Sequence, residues 1–182
     1  MRNPSKKAES RTRLLVLSAM FAALTAVCAQ VTIPIGAVPV SLSLLPVLLC
    51  GALLPPRYAA LSMGAYLLMG LAGVPVFSGL GAGPGKLFGV TGGYLIGYLP
   101  CAWLTAFLLR QEKPWWHQAL AMAAGVLSCY AFGTAWFMAT KQMALLPSLS
   151  VCVFPFLPFD ALKIALAILL VRLVGERLKG LR

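Results

Sequence analysis

The chain has 182 residues, 60% of them hydrophobic and 10% charged, where a soluble domain has about 45–50% apolar and about 25% charged residues. With a mean hydropathy of +0.90, this composition excludes an ordinary soluble domain and indicates an all-α membrane protein. A formal net charge of +11 would suit nucleic acid only as a basic face on a soluble fold, and the placement of the charges excludes nucleic acid as a partner.

A helix needs about 20 apolar residues to cross a bilayer core of about 30 Å. Apolar segments fall at about 14–31, 40–54, 58–73, 92–110, 116–140 and 159–175, each recognised as a long apolar run between breaks. Six spans fill the chain, so residues 1–182 form a single transmembrane domain whose residues 1–13 are a basic N-terminal segment. Arg2, Lys6, Lys7, Arg11 and Arg13 precede the first run; Arg57, Arg110 and Lys113 fall in two short breaks; Arg172, Arg177, Lys179 and Arg182 close the chain. All of these lie on one side if the chain crosses six times, whereas the opposite connections hold only Lys86 and Lys141. The positive-inside rule then puts both termini in the cytoplasm and the connections near 31–43, 73–91 and 141–158 outside.

In the first run Ser18, Ala22 and Ala26 repeat every fourth residue, as do Ala19 and Ala23. Such small-residue ridges let another helix approach closely, in a second protein or within the chain. A basic start followed by Leu14 to Ala29 also resembles a cleaved signal peptide. No small-x-small cleavage pattern follows it, and its removal would spoil the even number of spans. Pro55-Pro56-Arg57 divides the second and third runs as a tight cytoplasmic turn, because proline cannot continue a helix.

The stretch from Gly73 to Gly93 reads as neither helix nor strand. A glycine-rich backbone this apolar is tolerated at membrane depth only where protein or a cavity satisfies its polar groups, so it reads as a loop folded over a pocket, or else a flexible outer linker. Gly93 and Gly97 continue the small-residue spacing into the fourth run. Pro114-Trp-Trp-His117 marks a cytoplasmic boundary, since tryptophan favours the headgroup level, and the lone histidine belongs to that interface.

Near the end, Phe156-Leu-Pro-Phe-Asp-Ala-Leu-Lys163 places two charges at the mouth of an apolar run. Asp160 is one of four acidic residues. At a separation of three residues it shares a helix face with Lys163. A lone charge at mid-membrane costs about 2.5–3.5 kcal/mol on insertion scales. The pair either locks the start of its helix as an ion pair, aided by the N-terminal dipole, or offers a substrate an acceptor and a cation.

Other chemistries fail on spacing. Gly-Pro-Gly-Lys86 is not a P-loop, because Leu80 stands where a glycine is needed and Leu87 where Ser or Thr is needed. Five scattered cysteines, Cys28, Cys50, Cys101, Cys129 and Cys152, have no clustered ligand spacing and read as small apolar fillers. With one histidine and four acids no metal cluster or catalytic triad can be drawn, and an enzyme is not expected.

Gln30-Val-Thr-Ile-Pro34, Val38-Pro-Val-Ser-Leu42, Gly73-Val-Pro-Val-Phe77, Thr91-Gly-Gly-Tyr-Leu95-Ile-Gly97 and Phe156-Leu-Pro-Phe-Asp-Ala-Leu-Lys163 together resemble the BioY family, the biotin-binding S components of energy-coupling factor (ECF) transporters. The resemblance implies six transmembrane helices in the bacterial plasma membrane, with biotin captured under the outer loops. It implies separate ATPase subunits acting through a membrane coupling subunit, which would dock on Ala19, Ala22, Ala23 and Ala26. No cofactor is expected, biotin being cargo, and homo-oligomerisation is left open. With biotin as the ligand that the resemblance implies, its chemistry leads to the expectation that Asp160 accepts from a ureido N–H, Lys163 and secondarily Lys86 meet anionic or carbonyl oxygen, and Phe77, Tyr94 and Phe159 pack the ring. Gly92 and Gly93 would let backbone approach the ligand, as glycine's missing side chain permits. Where the family often has Thr-Leu-Gln, this chain has Ser41-Leu-Ser43, leaving Ser43 as a weaker polar candidate. The remaining alternatives are an S component for another vitamin, a self-sufficient proton-coupled transporter, or a scaffold subunit without a ligand.

Overall fold

A computed structural model describes residues 4–33, 40–109 and 114–178. Arg2, Arg110, Lys113, Lys179 and Arg182 of the basic set lie outside the described residues, as do Pro34 and the Val38-Pro39 step. The chain is mostly helical: α1 (Pro4–Cys28), β1 (Thr32–Ile33), β2 (Val40–Ser41), α2 (Leu44–Leu53), α3 (Pro56–Leu71), α4 (Gly83–Leu87), α5 (Gly92–Leu108), α6 (Trp115–Lys141), α7 (Leu145–Cys152) and α8 (Leu157–Leu178).

Each of the six apolar runs is a helix. Two of these, over Ser10–Cys28 and Trp115–Lys141, are long and apolar enough to cross a membrane. The bent pair Leu145–Cys152 and Leu157–Val174, at 52° to each other, makes a third if it counts as one span. Helix α2, with 10 residues, is about 15 Å long at 1.5 Å per residue. Its membership of the bundle therefore rests on burial. All ten of its residues are buried, as a helix apolar on every face must be, and it forms the centre around which the others pack.

Proline sets the breaks. Helix α2 ends at Leu53, and α3 begins at Pro56 after an extended Pro55, where the missing N–H of proline costs nothing. Pro100 lies inside α5. Neighbouring helices in a membrane bundle tolerate such a residue by re-satisfying the freed backbone group.

Glycine sets the helix spacing. A Cβ on Gly97 would come within 3.1 Å of the Cys129 backbone, and one on Gly133 within 2.2 Å of the Tyr94 ring. The close approach of α5 and α6 is therefore built from glycines on both helices, and the spacing of Gly93 and Gly97 serves packing within the chain.

Two hydrogen bonds join α1 to α3. Ser62 Oγ donates to the Ser18 carbonyl at 2.7 Å and Ser18 Oγ to the Tyr58 carbonyl at 3.1 Å, joining the middle of α1 to the first turns of α3, and Arg13 and Arg57 on the N-terminal side of this contact are exposed. Ser18 and Ala22 are buried by this contact, at 3% and 2% exposure, while Ala19 and Ala23 are exposed and Ala26 half-buried. The expectation that Ala22 faces a second protein is thus corrected. A spacing of four residues defined two adjacent ridges, and the chain's own helices occupy the one carrying Ala22.

The opposite end collects the three connections expected outside, and each has more structure than a loop. β1 and β2 pair antiparallel, Thr32 with Ser41 and Ile33 with Val40. The Gly73–Gly93 stretch contains α4 and a tight turn closed by Phe77 N–H to the Gly81 carbonyl at 3.0 Å and Gly81 N–H to the Phe77 carbonyl at 3.1 Å. The 141–158 connection contains α7. Its short apolar run was obscured by the prolines on either side of its break from α8.

Candidate binding site

Asp160 and Lys163 lie on the first turns of α8, 5% and 8% exposed, with Lys163 Nζ 2.7 Å from Asp160 Oδ1. Tyr130, from the middle of α6, donates its phenolic O–H to Asp160 Oδ2. Both carboxylate oxygens therefore have a donor, as a buried charge requires. An ammonium carries three N–H donors, and among the described residues Lys163 has one acceptor, Asp160. A buried cation with donors to spare beside a carboxylate with further lone pairs can bind a group that both donates and accepts hydrogen bonds.

A second polar cluster stands on α2 and α5. Ser43 Oγ lies 2.6 Å from Tyr98 Oη and 2.5 Å from Ser41 Oγ. Ser43 is 1% exposed. In place of capping α2, its hydroxyl is spent on the tyrosine. Tyr66 joins from α3, with its ring 6.4 Å from that of Tyr98 and edge-on to Phe77 at 5.6 Å.

The remaining expected residues divide. Tyr94 is half-buried; its O–H donates to the Cys152 carbonyl at 3.2 Å and lies 3.5 Å from Thr134 Oγ1, tying α5 to α7. Phe77 is fully buried, its ring so close to Gly70 that a Cβ there would come within 2.0 Å. It packs within the core beneath its own turn. Phe159 is half-buried at the core's edge. Lys86 is half-buried with its methylenes over Gly81 and has no hydrogen-bond or ion-pair partner among the described residues.

Gly92 and Gly93 do not open toward a ligand. A Cβ on Gly92 would lie 1.7 Å from the Leu87 carbonyl oxygen, and one on Gly93 2.2 Å from Trp136 Cβ. The space vacated by each missing side chain is filled by protein. Trp136 in turn donates its indole N–H to the Gly89 carbonyl at 3.0 Å, so these glycines fix the loop end of the bundle.

Sequence reasoning missed Tyr130, Tyr98, Ser41 and Thr134. One signal pointed to three of these, Ser41 excepted: Tyr94 and Tyr98, like Tyr130 and Thr134, are polar pairs four residues apart within apolar runs, a spacing that puts both members on one face of a helix.

The BioY family model matches residues 2–180. A protein named probable biotin transporter BioY from Pyrococcus horikoshii is 35% identical over 164 residues, 90% of this chain and 94% of that protein. Biotin transporter BioY from Thermotoga maritima is 33% identical over 170 residues, 93% of this chain and 97% of that one. Among solved structures, the fold matches a 2.1 Å crystal structure of the S-component for biotin from an ECF-type ABC transporter. That match has a TM-score of 0.85 and 28% identity, and covers 97% of this chain and 95% of the other. The chain belongs to the BioY family.

Proposed function

We propose that this chain is the biotin-specific S component of an ECF transporter, a transport protein and not an enzyme. The observation that carries the site is the buried Asp160–Lys163 pair with Tyr130 on the second carboxylate oxygen. Biotin's ureido ring has two N–H donors and one carbonyl. Asp160 accepts from an N–H, and the spare donors of Lys163 meet the carbonyl. Ser43 and Tyr98 form the facing polar wall, Tyr94 and Phe159 pack the bicyclic ring, and the free ammonium of Lys86 attracts the carboxylate of the tail. A site built on buried donors and acceptors rejects analogues that leave them unpaired.

The topology we infer has six transmembrane helices with both termini in the cytoplasm of a bacterium, so that the loop end faces outward. The basic end formed by Arg11, Arg13 and Arg57, all exposed, supports that orientation. Separate ATPases power uptake through a membrane coupling subunit. The exposed Ala19 and Ala23 of α1, with Ala26 at their margin, form the contact for that subunit, because small side chains allow close helix approach.

The test is Ala23→Trp, assayed for biotin binding by the purified protein and for uptake in vesicles carrying the coupling and ATPase subunits. Bulk at a packed contact costs about 1–3 kcal/mol, so uptake falls about tenfold while binding is unchanged. Equal uptake by the variant would remove α1 from the coupling contact. Uptake by the wild type without any ATPase subunit would replace the ATP-driven reading with a self-sufficient carrier.

A further inference from the structure

Gln30 follows α1 directly, and its side-chain amide is spent on a segment almost fifty residues away. Nε2 donates to the Phe77 carbonyl at 3.2 Å and to the Ala26 carbonyl at 3.1 Å, while Oε1 accepts the Leu80 N–H at 2.9 Å. One amide thus pairs with both a donor and an acceptor of the 77–81 turn, as a neighbouring strand would. The turn needs such support. Gly79 and Leu80 both have positive φ, 68° and 54°, and a leucine held in the left-handed region is strained unless its surroundings over-determine it. Leu80 is 70% exposed, so packing of its own side chain does not supply that constraint.

What the turn positions lies beneath it. Phe77, whose carbonyl Gln30 holds, has its ring on Tyr66; Tyr66 Oη donates to the Val76 carbonyl at 3.2 Å; and Tyr66 stands beside Tyr98, which bonds Ser43. The turn therefore heads a column that ends in one polar wall of the site. We propose that Gln30 is a positioning residue, clamping the 77–81 turn to the end of α1 and so holding the roof over bound substrate. The inference rests on the biotin-binding reading for its substrate, and on Gln30 geometry alone for the clamp.

The clamp is tested first without ligand. Hydrogen exchange of the purified full chain is compared between wild type and Gln30→Leu, which keeps the bulk and removes all three bonds. Exchange over residues 77–81 rises by about tenfold, the scale of a few lost neutral hydrogen bonds partly replaced by water, while α2, α5 and α6 are unchanged. Next, the dissociation rate of biotin rises by about tenfold with the association rate unchanged, the split expected when a roof opens more often without altering the pocket; a merely structural role would not separate the two rates. Leu80→Gly in the Gln30→Leu background recovers most of the slow dissociation, because glycine adopts the left-handed turn without the clamp. Unchanged exchange at 77–81 in Gln30→Leu overturns the clamp. Raised exchange with unaltered biotin dissociation overturns the roof. A wild-type protein that binds no biotin refutes the substrate reading and leaves the exchange result to decide the clamp.

Discussion

Asp160→Asn lowers biotin affinity by at least about a hundredfold, the larger of the effects expected here, since a site built to hydrogen-bond its ligand loses far more than a hydrophobic pocket does, about 10⁴-fold or more at its largest, when buried polar groups are left unpaired. Three losses combine in the variant. The acceptor for a ureido N–H becomes neutral, Lys163 is left at 8% exposure with no counter-ion, and the Tyr130 hydroxyl loses an ionised acceptor. Because the same change also destabilises the fold, affinity alone does not separate a binding role from a locking one. The double variant Asp160→Asn, Lys163→Met does. It leaves no unpaired buried charge, and it is the uncompensated charge left by removing one partner alone that makes breaking a buried pair strongly destabilising. Thermal stability therefore returns toward the wild type while biotin binding stays lost. Recovery of binding together with stability would show the pair to be a structural lock only. The measurements are a titration and a thermal melt on each variant.

Gly93→Val gives the second large effect, and it falls on stability. The added Cβ would stand 2.2 Å from Trp136 Cβ and 2.9 Å from the Phe132 carbonyl oxygen, both close to helix backbone and unable to swing aside. Helices α5 and α6 must separate. Overpacking of a close-packed interior costs about 1–3 kcal/mol and occasionally more, and with two rigid neighbours the cost reaches at least about 3 kcal/mol. The melting midpoint drops sharply, and biotin added before heating does not restore it fully. A Gly93→Val protein with normal stability and weakened biotin binding would return Gly93 to the ligand surface.

The contrast between these two sites explains what could be read from the residues. Asp160 and Lys163 stood out because charges are rare in this chain and a separation of three is a helix contact, both visible in one dimension. Tyr130 did not, being thirty residues away and one of five tyrosines; only the folding of α6 against α8 makes it a partner. At Gly92 and Gly93 the missing side chain correctly announced a close approach, but a glycine does not say what approaches it, and here Leu87 and Trp136 do. The long apolar runs gave all six principal helices, since burial in lipid or core needs only apolarity and length. The central place of α2 was hidden for the same reason, because a helix apolar on every face points nowhere. Helices α4 and α7 are too short, and too rich in glycine or proline, to show a period. In α1 the spacing of four revealed small-residue ridges without revealing that the ridge of Ser18 and Ala22 is already taken by α3.

The buried constellation of Asp160, Lys163 and Tyr130 is proposed to recognise biotin. Calorimetric titration of the detergent-purified chain with biotin, beside desthiobiotin, riboflavin and thiamine, tests it most directly. Biotin binds saturably and one to one, desthiobiotin, which keeps the ureido ring and lacks the sulfur ring, binds more weakly, and the other two vitamins do not bind. Folded protein that gives no heat with biotin, or that prefers riboflavin or thiamine, would contradict it.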